Sequence, residues 1–168
     1  PDNTATTPVL KTTGADDGTG RKRLTAIDLI NLKKTLDKLN VPKDGRILVL
    51  CPDHVADLLI EDLTFKTRYQ DANGGAIATN YYGFKIYEST YAPKWDATAL
   101  TKQAFGSVGA GVEGSVVFYK KNCVKAPGSV TRYARAAADN PEDRKNTIGF
   151  RLWFIAVAVK DEGIAAII

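Results

Sequence analysis

The feature that most constrains this chain is a thirteen-residue apolar run near its end, residues 147–159, TIGFRLWFIAVAV. Aromatic and β-branched residues fit a pleated strand, and at ~3.3 Å per residue the run would reach about 43 Å, long for a strand in a small domain. Alternation puts Ile148, Phe150, Leu152 and Phe154 on one face, with Arg151, Trp153, Ile155 and Val157 on the other. The turn Lys160-Asp161-Glu162-Gly163 then leads into residues 164–168, which read as a hairpin closing the sheet. Upstream, Val116-Val117-Phe118-Tyr119 and residues 130–136 read as further strands, with one helical turn expected over residues 120–126. The charged stretch RYARAAADNPEDRKN separates the last two strands. Its Asp139, Glu142, Asp143 and Arg144 suit a solvated turn or a contact between subunits.

The first half supplies helices. Thr25 can cap a helix with Asp28 at its third position, and Leu24 can staple onto Leu29. Leu29, Leu32, Leu36 and Leu39 follow at helical spacing, opposite Lys33, Lys34, Asp37 and Lys38, up to Asn40. After the turn Pro42-Lys43-Asp44-Gly45, the unbroken apolar run of residues 46–51 predicts a strand covered on both faces. Asp53 is then the expected cap of a short helix through Val55, Leu58 and Leu59.

Residues 64–75 turn polar and read as a loop that is either plainly solvated or makes contacts, in which Lys66, Arg68, Tyr69 and Asp71 are the candidate contacts. Residues 76–81 and 84–89 alternate as two strands or one bent strand around Tyr82-Gly83, and residues 92–114 show no period. Residues 1–23, rich in Thr, Asp and Gly, are expected to form an extended or disordered lead. A single domain follows over residues 24–168. These segments define an α+β fold: a mixed, mainly antiparallel central sheet with flanking helices.

Chemistry is sparse. His54, the single histidine, follows Asp53 at a helix start and reads as an exposed polar residue, with no GxSxG nucleophile motif to serve. The acidic cluster of Asp139, Glu142 and Asp143 is followed directly by Arg144 and Lys145, which favours ion pairs over a metal cage. Asp16-Asp17-Gly18 lacks the ligand spacing of a calcium loop, and Gly106, Gly109, Gly111 and Gly114 are followed by no GK[ST]. Cys51 and Cys123 are expected to be reduced thiols. No catalytic site, cofactor or metal is expected. The longest uninterrupted apolar stretch, residues 152–159, is far below the ~20 residues that span a bilayer, so no membrane partner is expected. A net charge of +4 permits a polyanionic partner without demanding one. The chain starts at Pro1 and has no Met, which suggests a fragment or processed form.

The order of segments is informative. VPKDGRILVLCPDHVADLL, then GFKIYEST, then GSVVFYKKNCVKA and the late apolar strand pair resemble the major capsid (coat) proteins of tailed bacteriophages, with the fold first defined on Hong Kong 97. Residues 24–168 follow that family's order through its axial domain. The resemblance implies a structural, non-enzymatic subunit that assembles with itself into pentamers and hexamers around double-stranded DNA, working with scaffolding and portal proteins. It also implies location in the virion capsid after synthesis in the bacterial cytoplasm, and a missing amino-terminal arm, extended loop and spine helix. A shorter match, Ile148-Gly149-Phe150-Arg151-Leu152-Trp153, resembles the closing strand of lectin-like and formylglycine-generating-enzyme-like domains, which implies a carbohydrate-binding or adhesion module instead.

Overall fold

The structure is a computed structural model that describes residues 3–72, 76–104, 106–107, 111–139, 142 and 144–168. In chain order the elements are β1 (Val9–Leu10), α1 (Ala26–Lys38), β2 (Arg46–Leu50), α2 (Pro52–Glu61), α3 (Leu63–Gln70), β3 (Ala78–Tyr81) and β4 (Phe84–Glu88). Then come β5 (Lys94–Trp95), β6 (Val112–Glu113), β7 (Ser115–Tyr119), β8 (Cys123–Arg135), β9 (Thr147–Ala158) and β10 (Ile164–Ile167). The chain divides into two compact units. One comprises residues 1–122 and 160–168, and the other residues 123–159.

The larger unit is a mixed sheet of order β1-β10-β7-β2-β4-β3, in which β1–β10 and β2–β4 are parallel and the remaining pairs antiparallel. The α+β architecture read from sequence is therefore present. α1 starts where the sequence places it: the Thr25 side chain accepts from Asp28 N–H while the Asp28 carboxylate accepts from Thr25 N–H, so two otherwise orphaned donors are satisfied. Its Leu29, Leu32 and Leu36 are fully buried, each contributing about 1.5–3 kcal/mol of apolar burial. They pack with Val55 and Leu58 of α2, Phe65 of α3, and the sheet residues Leu48, Leu50, Ile86, Val117, Ala165 and Ile167.

Only one face of this sheet is covered by helices. Along β2, buried Arg46, Leu48 and Leu50 alternate with half-buried Ile47 and Val49, so the strand is not covered on both faces as its composition suggested. Apolar composition reports burial in aggregate and cannot say which layer supplies it. At the other end of the open face, the fully buried Trp95 packs with Val9, Ala166 and Ile168.

Several expectations are corrected. The lead joins the fold: Ala166 N–H donates to Pro8 O at 3.0 Å, Ile168 N–H to Leu10 O at 2.9 Å and Thr12 N–H to Ile168 O at 2.7 Å. The cap of α2 is Cys51, which gives no side-chain bond, and Asp53 sits in the first turn behind Pro52. The polar stretch after it is helical as far as Gln70, because the Asp62 side chain accepts from the N–H groups of Thr64 and Phe65 and Phe65 anchors the helix; residues 73–75 of the expected loop lie outside the described residues. Of the two readings for residues 76–89, two strands holds: β3 and β4 form a hairpin whose turn uses positive φ at Tyr82 (50°) and Gly83 (84°). The turn after β7 is only a 3-10 helix, Lys120–Asn122, and β8 starts directly after it.

The second unit is a two-stranded antiparallel ribbon in which β8 and β9 pair with each other alone. Pro127 lies where the register shifts, a bulge position that tolerates its missing donor. β10 does not form a hairpin with β9. It leaves to pair with β7 and β1, so the long apolar strand is not part of the central sheet.

Candidate assembly surfaces

The sequence-derived contact residues fall on two elements. Lys66, Arg68 and Tyr69 lie on α3 and Asp71 caps its end. Two of them hold internal contacts: Arg68 Nη1 donates to Asn80 O at 2.8 Å, and Tyr69 Oη donates to Glu88 Oε2 at 3.2 Å. The Glu88 carboxylate beside it pushes the Tyr69 phenol above its ordinary pKa. Lys66 and Asp71 are exposed. At the ribbon tip, residues 137–139 form a 3-10 turn and Ala137 N–H donates to Asn146 Oδ1 at 2.7 Å. Glu142 and Arg144 are exposed there, whereas Asp143 and the Asp139 side chain lie outside what is described.

His54 is fully buried rather than exposed. Its Nδ1 lies 2.7 Å from Ser115 Oγ, which also accepts Cys51 N–H at 3.1 Å, and its Nε2 is buried with no partner among the described residues. Burial, and then the positive charge of Arg21, push the His54 pKa down to about 4. A base and a hydroxyl are thus adjacent, but sealed among Val55, Leu58 and the sheet, where no substrate reaches them. Burial likewise raises the Cys51 thiol, away from a reactive thiolate. Among the described residues, no group of three or more His, Cys, Asp or Glu is placed to hold a metal ion.

Nearby, Arg21 clamps Asp57 in a two-pronged pair, with Nη1 at 2.7 Å and Nη2 at 3.0 Å, and Asp57 also accepts Leu24 N–H at 3.0 Å. This buried carboxylate fastens residues 21–24 to α2.

The ribbon carries the feature missed by the search for polar contacts. Its register pairs Phe154 with Pro127, Leu152 with Val130 and Ile148 with Ala134 on one face, and Ile155 with Ala126 and Val157 with Val124 on the other. Both faces are apolar and both are open. Phe150 is 71% exposed, Trp153 65%, Phe154 65% and Ile155 60%. The charges between them are all basic, and two lie against aromatic rings: Arg151 over Trp153 at 4.9 Å and Lys125 over Phe154 at 5.8 Å. Isolated two-stranded ribbons are marginal in water, and a contiguous apolar surface of this kind marks an association site. The signal was legible in the alternation of residues 147–159, which is apolar at both parities.

Comparison with solved structures places this architecture. A chain from Mycobacterium phage Che8 matches with TM-score 0.58 and 18% identity over 97% of this chain and 53% of its own. The capsid of the cyanophage P-SCSP1u matches at 0.55 with 15% identity, over 95% of this chain and 52% of that one. The mature capsid of bacteriophage PhiM1 matches at 0.53 with 18% identity, over 95% and 51%. The chain has the phage major capsid protein fold, as the order of its segments suggested. It spans about half the length of the solved chains it matches. No protein-family model matches the sequence, and no curated protein matches it.

Proposed function

We propose that the protein is a structural subunit of a tailed-phage or prophage capsid, assembling with further copies into pentamers and hexamers that enclose double-stranded DNA, with no catalytic role. The observation that carries this beyond the fold is the β8–β9 ribbon, whose two apolar faces a subunit in isolation leaves in water. Each face, ~40 Å long and ~10 Å wide, offers about 400 Å², so the two together approach the roughly 800 Å² per partner of a standard protein interface. Shells built on closed symmetry repeat one such contact around an axis, which fits a subunit that carries an open apolar element. Lys66, Asp71, Glu142 and Arg144 are the exposed charges proposed to trim that association. Scaffolding and portal proteins are further proposed partners, and the virion the proposed location.

Electron microscopy of the purified protein tests the reading. Closed shells or capsomer-like rings are expected, and a Phe150→Ser/Trp153→Ser double variant should lose them while keeping its far-ultraviolet circular dichroism. A strictly monomeric protein at high concentration would overturn it.

A further inference from the structure

The larger unit has a second surface unlike the ribbon. At the end of β2, on the sheet face without helices, lies a groove of about 810 Å³. Three chain segments each bring a lysine to its lining: Lys43 from the turn before β2, Lys85 from β4 and Lys120 from the 3-10 turn after β7. The backbone makes them neighbours. Lys120 N–H donates to Gly45 O at 3.0 Å, and Lys85 sits opposite Ile47 in the β2–β4 register. All three lysines are exposed, and none forms a salt bridge with a described residue. Asp44 is the single acidic residue in the lining. Tyr87 forms part of the wall, with Lys85 Nζ 5.2 Å from its ring centroid. Gly45 (φ 87°) and Gly83 (φ 84°) line the groove with main chain alone, so a ligand's backbone can approach closely.

Three like charges gathered against the single counter-charge of Asp44 raise the local potential and destabilise the surface unless an anion offsets them. Cations held on separate strands match a ligand whose own charges repeat, and a nucleic-acid strand presents one phosphate every ~3.4 Å. We infer that this groove binds the phosphate backbone of nucleic acid without reading its sequence. The capsid reading identifies that nucleic acid as packaged double-stranded DNA, and to that extent the inference rests on it.

The test is fluorescence anisotropy of a short labelled DNA duplex with the dispersed chain, as wild type, as the K43Q/K85Q/K120Q variant, and as a K34Q/K38Q/K102Q control of equal net charge. Three lost phosphate contacts flatten the salt dependence by a slope of about 2.7. Between 50 and 200 mM salt, wild type should therefore lose roughly 40-fold more affinity than the groove variant. The control should behave as wild type. Equal effects of the two triple variants would overturn the inference by showing bulk charge alone, as would polyglutamate competing as well as duplex DNA, which would make the ligand a carboxylate-bearing protein. Particle formation is scored separately by microscopy. A chain that makes no particles but binds DNA through these lysines sinks the capsid reading and leaves the groove standing; particles with indifferent lysines do the reverse.

Discussion

Burial, and then the positive charge of Arg21, hold His54 near pKa 4, with one ring nitrogen 2.7 Å from Ser115 Oγ and the other without a partner among the described residues. Unfolded, the ring returns to its ordinary 6.5, so at intermediate pH the unfolded chain takes up a proton that the folded chain refuses. Stability from this group is therefore complete above about pH 6.5 and is lost as pH falls towards 4. The gap corresponds to about 3 kcal/mol at ~1.4 kcal/mol per pH unit. Urea unfolding at pH 7 and pH 4.5 should show wild type losing more than His54→Asn, which keeps a polar group near Ser115 but cannot titrate; equal losses would refute the account. Gly114 makes the second prediction at this scale. A Cβ there would lie 2.5 Å from Ile168 Cγ2, 2.8 Å from Trp95 Cε3 and 2.9 Å from Ile167 O, so the chain passes where no side chain fits. Gly114→Ala should cost about 1–3 kcal/mol by thermal or urea unfolding, and a neutral result would contradict that packing.

At the scale of elements, α1 and α3 show what local sequence can and cannot convey. α1 was legible because its capping box and its leucines at helical spacing agree. α3 was not, because eight residues with one buried side chain, Phe65, carry almost no period; its helix depends on Asp62 capping and on packing against the rest of the core. The ribbon has still less packing of its own. With each strand paired only to the other and apolar residues open on both faces, its amides should exchange rapidly in a dispersed subunit and become protected on assembly. Hydrogen-exchange mass spectrometry of both states checks this, and strong protection of residues 147–158 in dispersed chains would mean that the ribbon is already covered.

At the scale of the molecule, the chain reproduces the fold of solved phage chains, two of them from capsid structures, at 15–18% identity, where few side chains are shared and the order of elements is what persists. The sequence by itself determined that order, the capped α1 and the strand-forming runs, because capping, periodicity and turn residues act within a few positions along the chain. The tertiary structure alone decided where the long apolar strand goes. Residues 147–159 read equally well as core of the central sheet, and only the pairing of β10 with β7 and β1 removes β9 from it and leaves both its faces open. The same holds for His54, whose burial comes from Ser115, sixty-one residues further along the chain. It holds too for the three lysines of the groove, which strand pairing gathers from distant segments. Each outcome is set by which strand pairs with which, a choice made by burial summed over the whole core rather than by any local pattern.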